Sequence, residues 1–193
     1  MIYIIRHGET EMNRKNVLLS RTDCPLSERG MQQVREAAEL LSGICFDRIY
    51  SSPLIRALQT ARILVPDREP IIDERLIEMD SGPYEGMSLN DLPPEVVTFF
   101  ADFVHNPAPE GMEPLEDVVK RAGRFMEECC RTTADILITT HAIAMKGILE
   151  YLTPDSHGSY WARYIGNCAV FRTEFRPDGT WTVPVEYKGE CIG

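Results

Sequence analysis

MIYIIRHGETEMN, residues 1–13, is an apolar run of strand length that ends abruptly in Arg6, His7 and Gly8. The apolar half predicts a buried strand, and open α/β sheets bind ligands beyond the carboxyl ends of such strands. Arg6 offers N–H donors that suit a phosphate or a carboxylate, and His7 can act as a nucleophile or as an acid or base near neutral pH. Gly8 has no Cβ and allows a sharp turn or a close approach to a ligand. Taken alone, the stretch is equally typical of a core strand that ends in surface polar residues.

Predicted strands and helices alternate after this first strand. We expect strands at 46–51, 70–72 and 135–140, and helices at 27–41, 52–64, 114–131 and 142–152. Ser27 and Ser52 are the expected N-caps of the first two helices, with Pro53 at the first position of the second. Two runs at 168–175 and 180–187 flank Pro177-Asp178-Gly179, which is a hairpin signal. The alternation predicts an α/β fold with a mainly parallel sheet and right-handed crossovers.

Residues 79–113 interrupt this alternation. They are rich in proline and glycine and contain one short predicted helix, at 94–104. An insertion of this kind in an α/β unit is typical of a lid or binding subdomain, because its apolar residues need a surface on which to pack. The chain has no repeats and no linker-like tracts. We therefore expect a single domain over 1–193 that carries a lid insertion at about 79–113.

Composition limits the partners and the location of the protein. The formal net charge is −10, from 20 Lys and Arg against 30 Asp and Glu, which argues against nucleic acid or an anionic membrane as the main partner. The six cysteines have neither metal-ligand spacing nor a disulfide pattern, so reduced cysteines and a cytoplasmic protein are expected. The chain starts with a strand and not with a signal peptide, and no apolar run reaches the length of about 18 residues that a membrane span needs.

Three of the predicted strands end in polar groups of one chemical kind. The first ends in Arg6 and His7, the second leads into a helix that bears Arg56, and a later one ends at His141. Singly, Arg56 is typical of a solvated helix residue and His141 of a buried, hydrogen-bonded histidine. Because parallel strands end at one edge of a sheet, the four side chains are expected to form a cationic pocket for an anion.

The chain resembles the histidine phosphatase superfamily, the phosphoglycerate-mutase-like proteins. The motifs that carry the resemblance stand in the family order and span residues 1 to about 175. They are Arg6-His7-Gly8-Glu9-Thr10-x-x-Asn13, Asp23-x-Pro25-Leu26-Ser27-x-x-Gly30, Ser51-Ser52-Pro53-x-x-Arg56-Ala57-x-x-Thr60-Ala61, Glu78-x-Asp80-x-Gly82-x-Tyr84-Glu85-Gly86, Gly111-x-Glu113 and Thr140-His141. The resemblance implies a three-layer αβα sandwich whose mainly parallel sheet has an antiparallel edge strand.

The resemblance also implies a reaction. His7 would attack the phosphorus of a small phosphomonoester and form a phosphohistidine, which divides one difficult displacement into two easier ones. Arg6, Arg56 and His141 would surround the phosphoryl oxygens and stabilise their charge without a metal ion or another cofactor. Glu78 would protonate the leaving oxygen and then accept a proton from the attacking water.

Two further residues belong to the expected substrate site. Asn13 could donate one more hydrogen bond to the phosphoryl group, and Ala142 stands directly after His141, where the family usually has glycine. The predicted substrate-binding set is therefore Arg6, Asn13, Arg56, His141 and Ala142.

Two alternatives to a phosphatase remain open at the level of the sequence. A phosphoglycerate mutase needs additional cations for a second anionic group, but residues 79–119 contain no Lys or Arg and nine acids, and Met79 stands where mutases of the family tend to have arginine. An unpaired second anion would cost a few kcal/mol. A pseudoenzyme that only binds a phosphorylated partner is disfavoured because the core catalytic groups are all present.

The lid residues suggest a leaving group. An acidic lid with Phe99, Phe100 and Phe103 predicts a hydrophobic cover and a leaving group that is neutral or carries an amine. The resemblance leaves phosphoserine, ribazole phosphate and sugar phosphates open as substrates. Trp161 and Tyr164 are expected to pack. Spacing does not single out Lys146 or Arg163 as outer contributors to the pocket, and the oligomeric state is not readable from the sequence. Other departures from the family pattern are Leu19, Ser20 and Ser81.

Overall fold

Six strands form one mixed sheet in the computed structural model, which describes residues 1–129 and 134–189. They are β1 (Ile2–Arg6), β2 (Arg48–Ser51), β3 (Ile71–Ile72), β4 (Ile136–Thr140), β5 (Val170–Thr173) and β6 (Val185–Glu186). The strand order is β3-β2-β4-β1-β5-β6. The first four strands in this order are parallel, whereas β5 runs antiparallel to β1 and β6 antiparallel to β5. The predicted sheet, mainly parallel with an antiparallel edge, is confirmed.

Seven α-helices connect or flank these strands in the described part of the chain. They are α1 (Glu11–Arg14), α2 (Glu28–Leu41), α3 (Ile55–Leu64), α4 (Pro94–Ala101), α5 (Leu115–Cys129), α6 (Ala142–Leu152) and α7 (Ser159–Ala162). Short 3-10 helices lie at Glu74–Leu76, Gly82–Tyr84 and Pro154–Ser156.

The first strand shows how the layers arise. Its side chains alternate between the two faces of the sheet. Ile2 and Ile4 pack with residues of α5 and α6, whereas Tyr3 and Ile5 pack with residues of α2 and α3. With helices on both faces, the central strands are buried and read as a continuous apolar run. The predicted three-layer αβα sandwich is confirmed.

The starts of the first two long helices differ from each other. Ser27 is the N-cap of α2, as expected, and its hydroxyl accepts from Gly30 N. The prediction that Ser52 caps α3 is wrong. The N-cap of α3 is Leu54, whose side chain makes no capping hydrogen bond. Asp23 from the preceding loop accepts from Ile55 N at 2.7 Å instead.

Smaller differences concern element ends. Helix α1 was not predicted, although Thr10 and Asn13 form a reciprocal capping box at its start. Helix α4 ends at Ala101 and not near 104, because Asn106 Nδ2 donates to the carbonyls of Thr98 and Asp102 and closes the helix. The predicted hairpin is present with shorter strands, β5 and β6. The expected end of the fourth predicted helix, near Arg131, lies outside the described residues.

Residues 79–113 build a small core of their own. Met79, Val96, Phe99 and Met112 are buried together and pack against Val118 of α5. This apolar contact holds the segment beside the carboxyl edge of the sheet, where β1, β2 and β4 end.

The described residues also bear on the predictions about membrane spans and cysteines. None of the described helices combines the length and the apolar character of a membrane span. Cys24, Cys45 and Cys168 are free thiols. Burial raises the pKa of the Cys168 thiol to about 12. Cys130 and Cys191 lie outside the described residues.

A contact between two glycines positions the end of β1. A Cβ added to Gly30 of α2 would lie 2.0 Å from the carbonyl oxygen of Glu9, and one added to Gly8 would lie 2.6 Å from the carbonyl oxygen of Gly30. Glu9 O also accepts from Ser27 N at 2.8 Å. The backbone of the strand exit therefore rests directly on the first turn of α2, and this contact requires glycine on both sides.

We expect Gly30→Ala to lower the free energy of unfolding by about 3 kcal/mol, because a methyl group at this contact must displace backbone atoms. This loss should occur although alanine has the higher helix propensity. Urea unfolding followed by circular dichroism measures the change. The matched control is Gly43→Ala, where an added Cβ meets nothing within 4 Å. Equal free energies of unfolding for the two variants would contradict the proposed backbone contact.

Candidate active site

Three neighbouring strands deliver the predicted residues to one edge of the sheet. His7 follows β1, His141 follows β4 and Ser52 follows β2. Strand β4 lies between β2 and β1, so these three strand ends are adjacent. The imidazole rings of His7 and His141 have centroids 5.1 Å apart in an edge-on arrangement. The structure therefore brings together side chains that are 134 positions apart in the sequence.

His7 is held in one tautomer. Its Nδ1 lies 2.7 Å from the carbonyl oxygen of Gly8, which can only accept, so Nδ1 carries the hydrogen. Arg56 Nε donates to His7 Nε2 at 3.2 Å, so Nε2 presents its lone pair. Burial, followed by the charges of Arg56 and Arg6, holds the pKa of His7 well below its usual value. The ring is therefore neutral near pH 7, with the lone pair of Nε2 facing the guanidinium.

Arg56 is a fully buried cation whose acceptors are all uncharged. Besides His7, it donates through Nη1 to Thr22 O at 2.9 Å and through Nη2 to Ser20 O at 2.5 Å. No described Asp or Glu forms an ion pair with it. A guanidinium in this setting keeps its charge available for an anionic ligand.

His141 has one nitrogen engaged and one unpartnered. Its Nε2 lies 2.7 Å from Ser52 Oγ, and that oxygen also accepts from Leu54 N at 3.4 Å. We assign the hydroxyl hydrogen of Ser52 to the bond with Nε2, which makes Nδ1 of His141 the protonated nitrogen. Burial, with the charge of Arg56 next, holds the pKa of His141 well below its usual value. The sequence did not identify Ser52 as a site residue, since the serine looked like a helix cap.

Two buried N–H groups at this edge lack an acceptor among the described residues. They are Arg6 Nε and His141 Nδ1. Arg6 is held in place by a hydrogen bond from Nη1 to Ile165 O at 2.6 Å. Buried polar groups in folded proteins are nearly always paired. The two orphaned donors therefore indicate where the acceptor oxygens of a ligand would lie.

Glu78 lines the same cavity as Arg6 and directly precedes the 79–113 segment. It is 6% exposed, and its carboxylate accepts from three backbone N–H groups. These are Met79 N at 2.8 Å, Ala144 N at 2.9 Å and Ile143 N at 3.2 Å. Two of the three belong to the first turn of α6, where the helix dipole also favours negative charge. The carboxylate is thus fixed in position without an arginine or lysine partner.

Ser20 is the second residue whose role the sequence did not reveal. Its hydroxyl donates to Met79 O at 2.5 Å and accepts from Ser81 N at 2.9 Å. Its carbonyl is the acceptor for Arg56 Nη2. One residue therefore ties the buried guanidinium to the backbone that carries Glu78. In the sequence, Ser20 is only a departure from the family pattern, and such a departure carries no information about the partners of the residue.

A cavity of about 360 Å³ opens above these groups. It reaches Arg6, His7, Asn13, Glu78 and Ala142, so it collects most of the predicted site. Behind it lie Arg56 and His141, both fully buried. Asn13 Oδ1 is engaged by Thr10 N at 3.1 Å, which leaves its amide N–H groups free to face the cavity.

The sequence matches the family model of the histidine phosphatase superfamily, branch 1, over residues 2–186. The chain belongs to this superfamily. The family that the motifs predicted is thereby confirmed, and with it the assignment of the chain as a phosphatase.

Individual relatives of this histidine phosphatase agree with that class. The chain is 29% identical to the "putative phosphoserine phosphatase 2" of Hydrogenobacter thermophilus, over 92% of this chain and 90% of the relative. It is 31% identical to the adenosylcobalamin/alpha-ribazole phosphatase of Escherichia coli, over 94% of this chain and 87% of that one. Among solved structures, a phosphoserine phosphatase mutant from Entamoeba histolytica in complex with phosphoserine superimposes with a TM-score of 0.85 at 27% identity, covering 100% and 98% of the two chains.

The aromatic residues of the histidine phosphatase behave differently from one another. Phe99 is 1% exposed and packs inside the 79–113 segment, whereas Phe100 and Phe103 line the cavity. Trp161 is buried, as expected. The prediction that Tyr164 packs is wrong, because its side chain is 85% exposed and stands at the cavity rim.

The nine acids of residues 79–119 do not face the cavity. None of them lines the cavity, in which Glu78 is the acidic residue. Asp80 and Glu113 pair with Arg21, and Glu113 also pairs with Arg121. The inference that an acidic lid selects a neutral or amine-bearing leaving group therefore loses its basis. Sequence counting could not detect this, since pairing depends on residues far away along the chain.

The depressed pKa values of His7 and His141 predict how stability depends on pH. The folded state holds both rings neutral, whereas histidine in the unfolded chain has its ordinary pKa of about 6.5. The unfolded chain therefore binds more protons than the folded one at pH values below about 6.5. Stability is then fully present above that pH and falls below it, by up to about 1.4 kcal/mol per pH unit for each histidine.

The measurement is the free energy of unfolding in urea between about pH 7.5 and 5.5, a range in which histidine dominates the titration. His7→Asn keeps an N–H group for Gly8 O but does not titrate, so its slope should be smaller than that of the wild type. Identical slopes for the two proteins would show that His7 is not held neutral.

Proposed function

We propose that the protein is a metal-independent phosphomonoesterase that acts on a small phosphorylated metabolite through a phosphohistidine on His7. The observation that carries the proposal is the state of His7. Its ring is neutral, with Nδ1–H on Gly8 O and the Nε2 lone pair turned toward a buried guanidinium. Such a nitrogen is a nucleophile at neutral pH and needs no further base.

The phosphoryl group would bind by completing hydrogen bonds that the protein leaves open. Arg6 Nε and His141 Nδ1 would each donate to a phosphoryl oxygen. Arg56 Nε, which now donates to His7 Nε2, would transfer its hydrogen bond to another oxygen and so release the lone pair. Three donors held at the carboxyl edge of the sheet would favour the in-line geometry and would stabilise the developing negative charge. Asn13 and Ala142 would complete the substrate contacts at the cavity wall.

Glu78 would donate a proton in the first half of the reaction and accept one in the second half. In the first half, Nε2 forms a bond to phosphorus, the bond to the ester oxygen breaks, and a proton from Glu78 neutralises the departing alkoxide. In the second half, Glu78 accepts a proton from the water that attacks the phosphohistidine, and His7 leaves with its lone pair restored. The backbone N–H groups around Glu78 stabilise the carboxylate that exists between the two halves.

The 79–113 segment would act as a lid on a single domain. Phe100 and Phe103 from this segment reach the cavity and would exclude water from the phosphoryl group. The cytoplasmic location and the absence of a nucleic-acid partner stay predictions from composition.

Replacing the nucleophile should abolish turnover. We expect His7→Asn to lower kcat for p-nitrophenyl phosphate by at least about 10⁴-fold, since the change removes the nitrogen that would attack phosphorus. Rapid quenching of the wild type with a ³²P-labelled ester should trap protein-bound phosphate that is stable in base and labile in acid. Activity should survive excess chelator. Loss of activity with chelator would overturn the metal-free mechanism, and phosphate that remains bound to His7→Asn would overturn the assignment of the nucleophile.

The role of Glu78 predicts a dependence on the leaving group. Glu78→Gln should lower kcat by about 10²–10³-fold for alkyl phosphates, whose alkoxide must be protonated. For p-nitrophenyl phosphate, which releases a stable phenolate, the first step should persist and give a burst of nitrophenolate before a slow second step. The exposed Glu95 of α4 supplies the control, Glu95→Gln. Absence of the burst with p-nitrophenyl phosphate would contradict the acid role, because the first step with this ester does not need a proton from Glu78.

A phosphoglycerate mutase is distinguished in the same assays. Incubation with 3-phosphoglycerate should release inorganic phosphate faster than it forms 2-phosphoglycerate. Faster formation of the isomer would favour the mutase over the phosphatase that we propose.

A further inference from the structure

Lys146 is a buried cation in the wall of the substrate cavity. It lies on α6, five positions after His141, and is 8% exposed. Its Nζ donates to Trp161 O at 2.7 Å and lies 5.1 Å from the ring centroid of Phe103. The side chain borders the cavity above His7 on one side and a groove next to α7 on the other. Lys146 therefore separates the reaction site from the outer surface of the lid.

The charge of Lys146 is not balanced by a carboxylate. No described Asp or Glu forms an ion pair with it, and its contacts are one carbonyl and one aromatic face. An ammonium group has three N–H donors, so two are left without an assigned acceptor. Burying such a group is costly unless it is paired. A role restricted to holding Trp161 would not require a charge.

The surroundings of Lys146 narrow down what could pair with it. Beyond the phosphoryl site, the cavity wall is largely apolar, with Val17, Leu18, Leu19 and Leu89. Arg6 is the other cation at the cavity surface, and the proposed function engages it with the phosphoryl group. Lys146 thus supplies one positive charge to the wall of the cavity outside the proposed phosphoryl contacts. One charge and two open donors match a carboxylate, whereas a second phosphate would bring excess negative charge into an apolar wall.

We propose that Lys146 binds a carboxylate on the leaving group, which makes phosphorylated hydroxy acids the substrate class of this site. The inference rests on the proposed phosphatase function and deepens it. The lid would close over the substrate with Phe103 stacked on the same ammonium, so that the carboxylate and the phosphoryl group are held at opposite ends of the cavity.

Charges near Lys146 support this assignment. Burial lowers the pKa of Lys146 to about 8, with Arg6 acting in the same direction and Glu78 opposing it. The ammonium form is therefore the one that a bound carboxylate would stabilise. The other titratable or charged groups of the two pockets that Lys146 lines are His7 and Tyr164 in the cavity, and Asp102, His105, His157, Arg163 and again Tyr164 in the groove.

Matched substrates test the inference. O-phosphoserine has a carboxylate that O-phosphoethanolamine lacks. In the second pair, 3-phosphoglycerate has a carboxylate where glycerol 3-phosphate has a hydroxymethyl group. For each pair we measure the ratio of kcat/KM values. The wild type should favour the carboxylated member, and Lys146→Met should lower that ratio by about 10- to 100-fold. The control is Lys120→Met, which removes an exposed lysine of α5 and should leave the ratio unchanged.

A pH series on the wild type provides a second readout that needs no variant. Because the ammonium loses its proton near pH 8, the preference for the carboxylated substrate should fall as the pH rises through that value. Lys146→Arg should remove this decline, since arginine stays protonated.

The outcomes separate the two proposals. If the esters are hydrolysed and the ratio is near one, or is equal in Lys146→Met and the wild type, the inference on Lys146 is overturned while the phosphatase function stands. A pH-independent ratio in the wild type would overturn it as well. If no ester is hydrolysed by the wild type, the proposed function fails and this inference fails with it.

Discussion

The site depends on a buried positive charge that no carboxylate pairs with in the described part of the chain. Arg56 donates to His7 Nε2 and to two carbonyl oxygens, and each of these acceptors is neutral. Burial, followed by the charge of Arg56, lowers the pKa of both His7 and His141, so the two rings are neutral and the cationic edge is open to an anion. A single carboxylate against Arg56 would cancel both effects. The fold must therefore keep its many acids away from this edge.

Pairing of the acids elsewhere meets this requirement. Asp80 and Glu113, which lie within or at the end of the 79–113 segment, are paired with Arg21 and Arg121. Glu78, the acid that does reach the cavity, is held by backbone N–H groups and not by a cation. A protein with a formal net charge of −10 can thus present a locally positive pocket, because ion pairs act over short distances and salt screens the remainder.

Much of the architecture could be predicted from local patterns. The buried run before Arg6 and the run before His141 have the length and composition of parallel strands, and Ser27 is an N-cap because its hydroxyl meets Gly30 N in the first turn. Ser52 was misread because capping is a local rule, whereas its hydroxyl is engaged by His141 from another strand. Tyr164 was misread because exposure of an aromatic residue depends on the neighbouring elements and not on its type.

The sequence by itself determined the family, the alternation of strands and helices, and the identity of the residues at the strand ends. These features follow from side-chain periodicity and short motifs, which are encoded within a few positions. Tertiary structure alone decided which charges are paired, which tautomer His7 adopts, and that Lys146 faces the cavity without a carboxylate. Pairing, desolvation and burial are set by contacts between segments far apart along the chain, and no local pattern contains them.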